Sequence, residues 1–205
     1  MPDQNPTPQN ATLLQGFEWN VPADQKHYKR LTAHVAQLAS IGVTAIWLPP
    51  GCKASSKEGN GYDIYDLYDV GEFEQKGGRP TKWGSKDELL ELSAAAKARG
   101  VALYWDAVLN HKAGADNTEK CTVVEVDPND RMKDISDPYE IEAWVGFDFP
   151  GRGEKYSAMK WHWHHFSGTD WDERDKKKAI FRIVGENKGW SRSVDTEQGN
   201  DDYMM

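Results

Sequence analysis

Two strand-like segments, the apolar run Val43 to Leu48 and Val101 to Val108, which is apolar except for Asp106, constrain the fold more than any other feature of the chain. Runs of this length suit strands covered on both faces. Ahead of the first, Tyr28, Leu31, Val35 and Leu38 recur at helical spacing, and Gly42 stands where a C-terminal cap glycine belongs. Ahead of the second, Ser85-Lys86-Asp87-Glu88 has the capping-box pattern. Leu89, Leu92 and Ala96 then mark a buried helix face, and Gly100 closes it. Thr12 to Trp19 reads as a short strand, and residues 51–84 read as loop. The order is strand, helix, strand, loop, helix, strand. Helical crossovers between apolar strands call for a parallel sheet with helices outside it, which is the α/β class.

After His111 the alternation stops. Turn dipeptides (Asp127-Pro128, Asp137-Pro138, Pro150-Gly151), aromatic-polar alternation at Trp161-His162-Trp163-His164 and an apolar run from Ala179 to Val184 predict an irregular, β-rich insertion. The expected organisation is a disordered tail over 1–10, an α/β part over 11–111 and the insertion over 112–205.

Charge narrows the function classes. The 205 residues hold 25 Lys+Arg against 33 Asp+Glu, a formal net charge of -8. Nucleic acid and anionic membrane surfaces need a basic face and are not expected partners. No apolar stretch approaches the ~18 residues of a membrane helix. The first ten residues lack a secretory signal pattern, so a cytoplasmic location is expected. Mean hydropathy is low, at -0.79. Nine Trp nevertheless argue for a folded core or an aromatic-lined cleft rather than disorder. Cys52 and Cys121 permit one disulfide but do not require it.

In parallel α/β folds, chemistry gathers at the C-terminal strand ends. Those ends carry Glu18 and Trp19, then Pro49-Pro50, then Asp106 through His111. The last segment releases a carboxylate, an amide oxygen and an imidazole from one strand. The amide oxygen suits calcium, and the imidazole can donate to a substrate hydroxyl. On spacing alone, the plainer reading is that Asp106 caps a turn and His111 packs. His162, His164 and His165 raise a zinc reading, with His162 and His164 sharing one face of a strand. No Cys or paired carboxylate completes that set, and structural histidines are the simpler account.

Asp106-Ala107-Val108-Leu109-Asn110-His111 resembles the first signature of the alpha-amylase family, glycoside hydrolase family 13. Gln15 to Trp19, Gly61 to Leu67, Gly71 to Gly77, Phe149 to Gly153, Lys160 to Trp163, Gly168 to Asp172 and Gly199 to Tyr203 agree with it, in family order. The likeness is to the liquefying branch, including its non-secreted members. It implies a (β/α)8 TIM barrel with a domain B inserted after the third strand. Eight units need ~250 residues, so the expectation is an N-terminal part: about three strands, then domain B.

The resemblance also implies roles. Tyr62 would stack under the sugar beside the scissile bond, and His111 would bond its 6-hydroxyl. Gln15 and Trp19 would line the floor, and Trp163 would add a platform in domain B. Asn110 and Asp202 match two ligands of the Ca2+ site that joins domain B to the barrel. Ser167 and Ser191 stand where liquefying relatives place aspartates of an additional metal cluster, so that cluster is expected to be absent or altered.

Retaining glycosidases need two carboxyl groups ~5–5.5 Å apart. In the family the nucleophile follows the fourth strand, two residues after an Arg, and the acid follows the fifth. Position 104 is Tyr, so Asp106 is read as an architectural carboxylate and no residue of this chain as catalytic. The expected activity is retaining endo-hydrolysis of α-1,4-glucan (starch, glycogen, maltooligosaccharides) by a longer polypeptide. The alternatives are an inactive or merely glucan-binding fragment, and a transglycosylase of the same family. A three-stranded piece alone would expose a sheet edge and is expected to be poorly soluble or molten.

Overall fold

The computed structural model describes residues 10–192 and 203–204. The expected tail therefore lies outside the described residues, apart from Asn10. The chain divides after Val108 into two compact units.

The first unit runs β1 (Leu13–Gln15), α1 (His27–Ser40), β2 (Ala45–Leu48), β3 (Lys53–Ala54), β4 (Ile64–Asp66), α2 (Lys86–Ala98) and β5 (Ala102–Trp105). Its sheet has the order β1-β2-β5 and is parallel throughout, with Leu14 opposite Ile46 and Ile46 opposite Leu103. Tyr28, Leu31 and Val35 of α1 and Leu92 and Ala96 of α2 bury themselves with Ile46, Leu48 and Trp83 in one core. Side chains of this size each contribute roughly 1.5–3 kcal/mol when fully buried. Both helices stop as their sequences dictate. Gly42 (φ +94°) and Gly100 (φ +69°) adopt the left-handed conformation just beyond the caps. At the start of α2, Ser85 Oγ accepts from Glu88 N, and Glu88 Oε2 accepts from Ser85 N at 2.9 Å.

Three expectations need correction. β5 was expected to be buried on both faces, yet Tyr104 and Trp105 are exposed. Among the described residues β5 pairs only with β2, so it is the sheet edge, and only Leu103 turns to the core. The first strand ends at Gln15 rather than Trp19. At Gly16 the N–H still bonds Trp47 O (2.8 Å), but the carbonyl is taken by the buried His27 ring (2.7 Å). Finally, the 51–84 loop contains the short antiparallel pair β3–β4.

The second unit runs β6 (Asn117–Asp127), β7 (Asp130–Asp134), β8 (Tyr139–Gly146), a 3-10 turn (Trp163–His165), β9 (Gly168–Asp172), β10 (Lys177–Ile183), β11 (Ser191–Arg192) and β12 (Tyr203–Met204). The main sheet has the order β7-β6-β10-β9, with β8 also paired to β6, all antiparallel. Cys121 and Val123, Ile141, Ala143 and Val145, and Phe181 and Ile183 alternate along their strands into one apolar core.

A strand would put His162 and His164 on one face, but the chain is not a strand there. Trp161 makes only an isolated bridge to Phe147, and the chain then coils into the 3-10 turn. Glu119 causes this: its carboxylate takes Trp163 N at 2.8 Å and His162 Nδ1 at 2.6 Å, while His162 N donates to His165 Nδ1. Side chains thus replace a sheet partner. Among the described residues no group of three or more His, Cys, Asp or Glu is arranged to hold a metal ion. Cys52 and Cys121 are not bridged to each other, and burial pushes the Cys121 thiol up to about 11.

Candidate functional site

In the first unit the site is an aromatic stack at the C-terminal end of the parallel sheet. Tyr62 lies in the loop entering β4, and its Oη donates to Asp106 Oδ2 at 2.8 Å. Burial, then this carboxylate, pushes the phenol up to about 12, so it stays a neutral donor. The Trp19 indole lies parallel to the Tyr62 ring, with centroids 5.9 Å apart and planes 12° apart. That is within the range of favourable aromatic packing. Trp19 remains 66% exposed, so the stack keeps an open face. Gln15, at the end of β1, folds back to donate to Phe17 O at 3.0 Å and is exposed.

Sequence reasoning brought Tyr62, Trp19 and Asp106 together and missed what holds them. Asn60 and Lys82 grip the Trp19 carbonyl, and Asp63 takes Ser55 Oγ (2.5 Å) and Gly61 N (3.2 Å) on either side of the Tyr62 loop. His27 anchors Gly16, ahead of Trp19, and desolvation holds its imidazole below the ordinary histidine range. The Asn60-Gly61 and Lys82-Trp83 neighbours carried no periodicity that would have revealed this.

In the second unit, His111 lines a pocket of about 410 Å³ together with Lys112, Trp144, Phe147, Asp170 and Trp171. The Lys112 ammonium sits 5.1 Å from the Phe147 ring centroid and 5.2 Å from that of Trp161. Trp144 and Trp171 donate their indole N–H groups to one carboxylate oxygen of Glu173, at 3.1 and 2.8 Å. An ion pair with Lys176, followed by these indoles, pulls Glu173 down to about 2. Trp144 was not singled out in the sequence, whereas Trp171 stands in the Gly168 to Asp172 motif. Trp163 is not among the residues lining this pocket; it packs on the apolar core, with the Lys188 ammonium 5.8 Å above its ring.

Of the two expected calcium ligands, Asn110 is exposed at the start of the second unit, and Asp202 lies outside the described residues. Calcium takes six to eight oxygens.

Comparison with known proteins decides the family. The family described as alpha amylase, catalytic domain, matches residues 27–186. The chain belongs to the alpha-amylase family. It is 48% identical over 204 residues to an alpha-amylase of Geobacillus stearothermophilus, covering all of this chain and 37% of that protein. It is 51% identical to an alpha-amylase of Bacillus licheniformis, covering 96% of this chain and 38% of that protein. It is 42% identical to a cytoplasmic alpha-amylase of Escherichia coli, again over 96% of this chain and 40% of the relative. The chain thus spans about two fifths of the length of these relatives. Among solved structures, a truncated alternansucrase of Leuconostoc mesenteroides aligns with 67% of this chain and 13% of its own, at TM-score 0.55 and 20% identity. That likeness speaks for the fold alone. The open parallel sheet is part of the barrel that the alpha-amylase family builds.

Proposed function

We propose that the protein is an alpha-amylase that hydrolyses internal α-1,4-glucosidic bonds of starch or glycogen with retention, and that this chain supplies the sugar-binding floor of its cleft. The observation that carries the reading is the Trp19–Tyr62 stack fixed by Asp106. A pyranose presents an apolar C–H face to an aromatic ring and hydroxyls to polar groups around it. Tyr62 and Trp19 supply the ring face. Gln15 borders the floor, and His111 donates to the 6-hydroxyl. The pocket beside His111, with Trp144 and Trp171 in its wall, offers aromatic faces of the same kind within the second unit. Trp163, which packs on the apolar core of the second unit, would add a further platform there.

Asp106 accepts the Tyr62 phenol and orients the floor; it is not the nucleophile. Double displacement needs a carboxylate and a carboxylic acid facing each other across the glycosidic bond. We assign that pair to a part of the protein outside these 205 residues. Ca2+ belongs to the same reading: Asn110 and Asp202 would give two oxygens, and further ligands must join them. We extend the reading to a cytoplasmic enzyme on the strength of the Escherichia coli relative.

The test is release of reducing ends from soluble starch by the complete polypeptide, with product anomers followed by proton NMR. Expected are oligosaccharides whose α-anomer appears first, and loss of most activity on Tyr62→Ala. Products of the β-anomer, transfer without hydrolysis, or unchanged turnover in Tyr62→Ala would overturn the reading. The 205-residue chain alone is expected to release no reducing ends from starch.

A further inference from the structure

A buried ammonium fixes the Trp19 end of the aromatic stack. Lys82 is 6% exposed, and its Nζ donates to Asn60 Oδ1 at 2.5 Å and to the Trp19 backbone O at 3.3 Å. Asn60 Nδ2 reaches the same carbonyl at 3.4 Å. Asn60 is itself held, because its backbone O accepts from Trp83 Nε1 at 3.2 Å. That indole is 1% exposed and also bonds Pro50 O at 3.0 Å. Asn60 lies two residues before Tyr62. One clamp therefore grips both members of the stack, Trp19 through its carbonyl and Tyr62 through its own loop.

Burying an ammonium is costly unless polar groups replace its water. The replacements are two oxygens, the face of Trp83 at 5.0 Å and the charge of Glu18. Desolvation still outweighs them and holds Lys82 below the ordinary lysine range. The arrangement serves a ring that is two-thirds exposed and has little packing of its own to hold it. A platform already in its binding geometry loses less conformational freedom when a ligand arrives.

We propose that Lys82, with Asn60, is a positioning residue for the sugar platform: it holds the Trp19 backbone so that the indole lies parallel to Tyr62 and the pair meets a glucan as one preformed surface. The proposal rests on the reading of Tyr62 and Trp19 as sugar-binding, and its test separates the two. The complete polypeptide would be made with tyrosine ring carbons labelled, the Tyr62 resonance assigned from Tyr62→Phe, and maltoheptaose used as the probe. In Lys82→Met the Tyr62 ring signal is expected to lose the shift that the Trp19 indole imposes. Maltoheptaose affinity should fall about tenfold, the scale of one aromatic contact. Lys82→Arg should restore most of both. In a Trp19→Ala background, Lys82→Met should change affinity less than about twofold, since its effect runs through that ring. Asn60→Ala, which keeps the ammonium, gives the same signature and serves if Lys82→Met does not fold. An unmoved Tyr62 signal in the folded variants overturns the proposal. So does a tenfold loss that persists without Trp19. If neither Trp19→Ala nor Tyr62→Ala weakens maltoheptaose binding, the sugar-platform reading falls, and the Tyr62 signal still decides whether Lys82 sets the stack.

Discussion

Residues 51–84 of the first unit and the β6–β8–β10 sheet of the second satisfy their backbones by opposite means. The loop has almost no ladder, so buried side chains do the bonding. Lys53, 1% exposed, donates to the carbonyls of Phe73, Gly78 and Arg79 and pairs with Asp69 at 3.3 Å. Asp69 Oδ1 takes the N–H groups of Gly71, Glu72 and Phe73, and Gln75 bridges Asp69 to Asp66. In the sheet the strands bond each other, and the side chains between them are free to be apolar, as Val123, Ile141 and Phe181 are. In the 51–84 segment buried charge stands in for the missing ladder, because every buried N–H and C=O must find a partner.

Substitutions can break this contrast from either side. Lys53→Met strands a buried carboxylate and three carbonyls. It is expected to cost the first unit about 5 kcal/mol, by the measure of broken buried ion pairs. Denaturant unfolding would show the loss, while amide exchange in β6 and β8 stays unchanged. Phe181→Ala is the converse. It should cost about 4 kcal/mol through lost burial and a cavity, with protection lost in β6, β8 and β10 and kept in α1 and β2. If both variants melted both units alike, the contrast would be wrong.

Ser85→Ala is smaller. It removes one half of the capping box and should cost about 1 kcal/mol, with exchange accelerated in the first turn of α2. The smallest effect concerns pH. Glu173 sits at about 2 in the folded chain, below its ordinary carboxylate value. The stability it lends is therefore complete above that ordinary value and disappears as pH falls toward about 2. The indole N–H signals of Trp144 and Trp171 should move with a midpoint at about 2. A midpoint near the ordinary value would remove the Lys176 and indole contacts from the account.

The contrast also explains what was legible in the sequence. The helix starts and stops were, because Ser85, Glu88, Gly42 and Gly100 act within a turn of where they stand. The parallel order β1-β2-β5 followed from apolar runs linked by helices. The β-rich second unit followed from the loss of that alternation. Tyr62, Trp19 and Asp106 were recognised through motifs. Lys53, Asn60 and Lys82 were not, because a buried lysine has no periodicity and reads as surface until its acceptors are placed around it. The exposed face of β5 was hidden for a related reason. An apolar run shows that a strand is suited to burial, not that its neighbours are there. The histidine turn reads as a strand in sequence because Glu119, more than forty residues away, supplies its caps.

Glu88 closes its capping box with one oxygen and meets Lys29, in the first turn of α1, with the other at 2.8 Å. The same carboxylate therefore serves a local cap and a bridge between helices. In evolutionary terms the three positions are unequal. Lys29 can drift while the cap survives, and Ser85 can be exchanged for another capping residue while the bridge survives. A change at Glu88 removes both at once. Lineages of this chain should vary freely at position 29, narrowly at 85 and seldom at 88, and where 88 does vary the other two should already have changed.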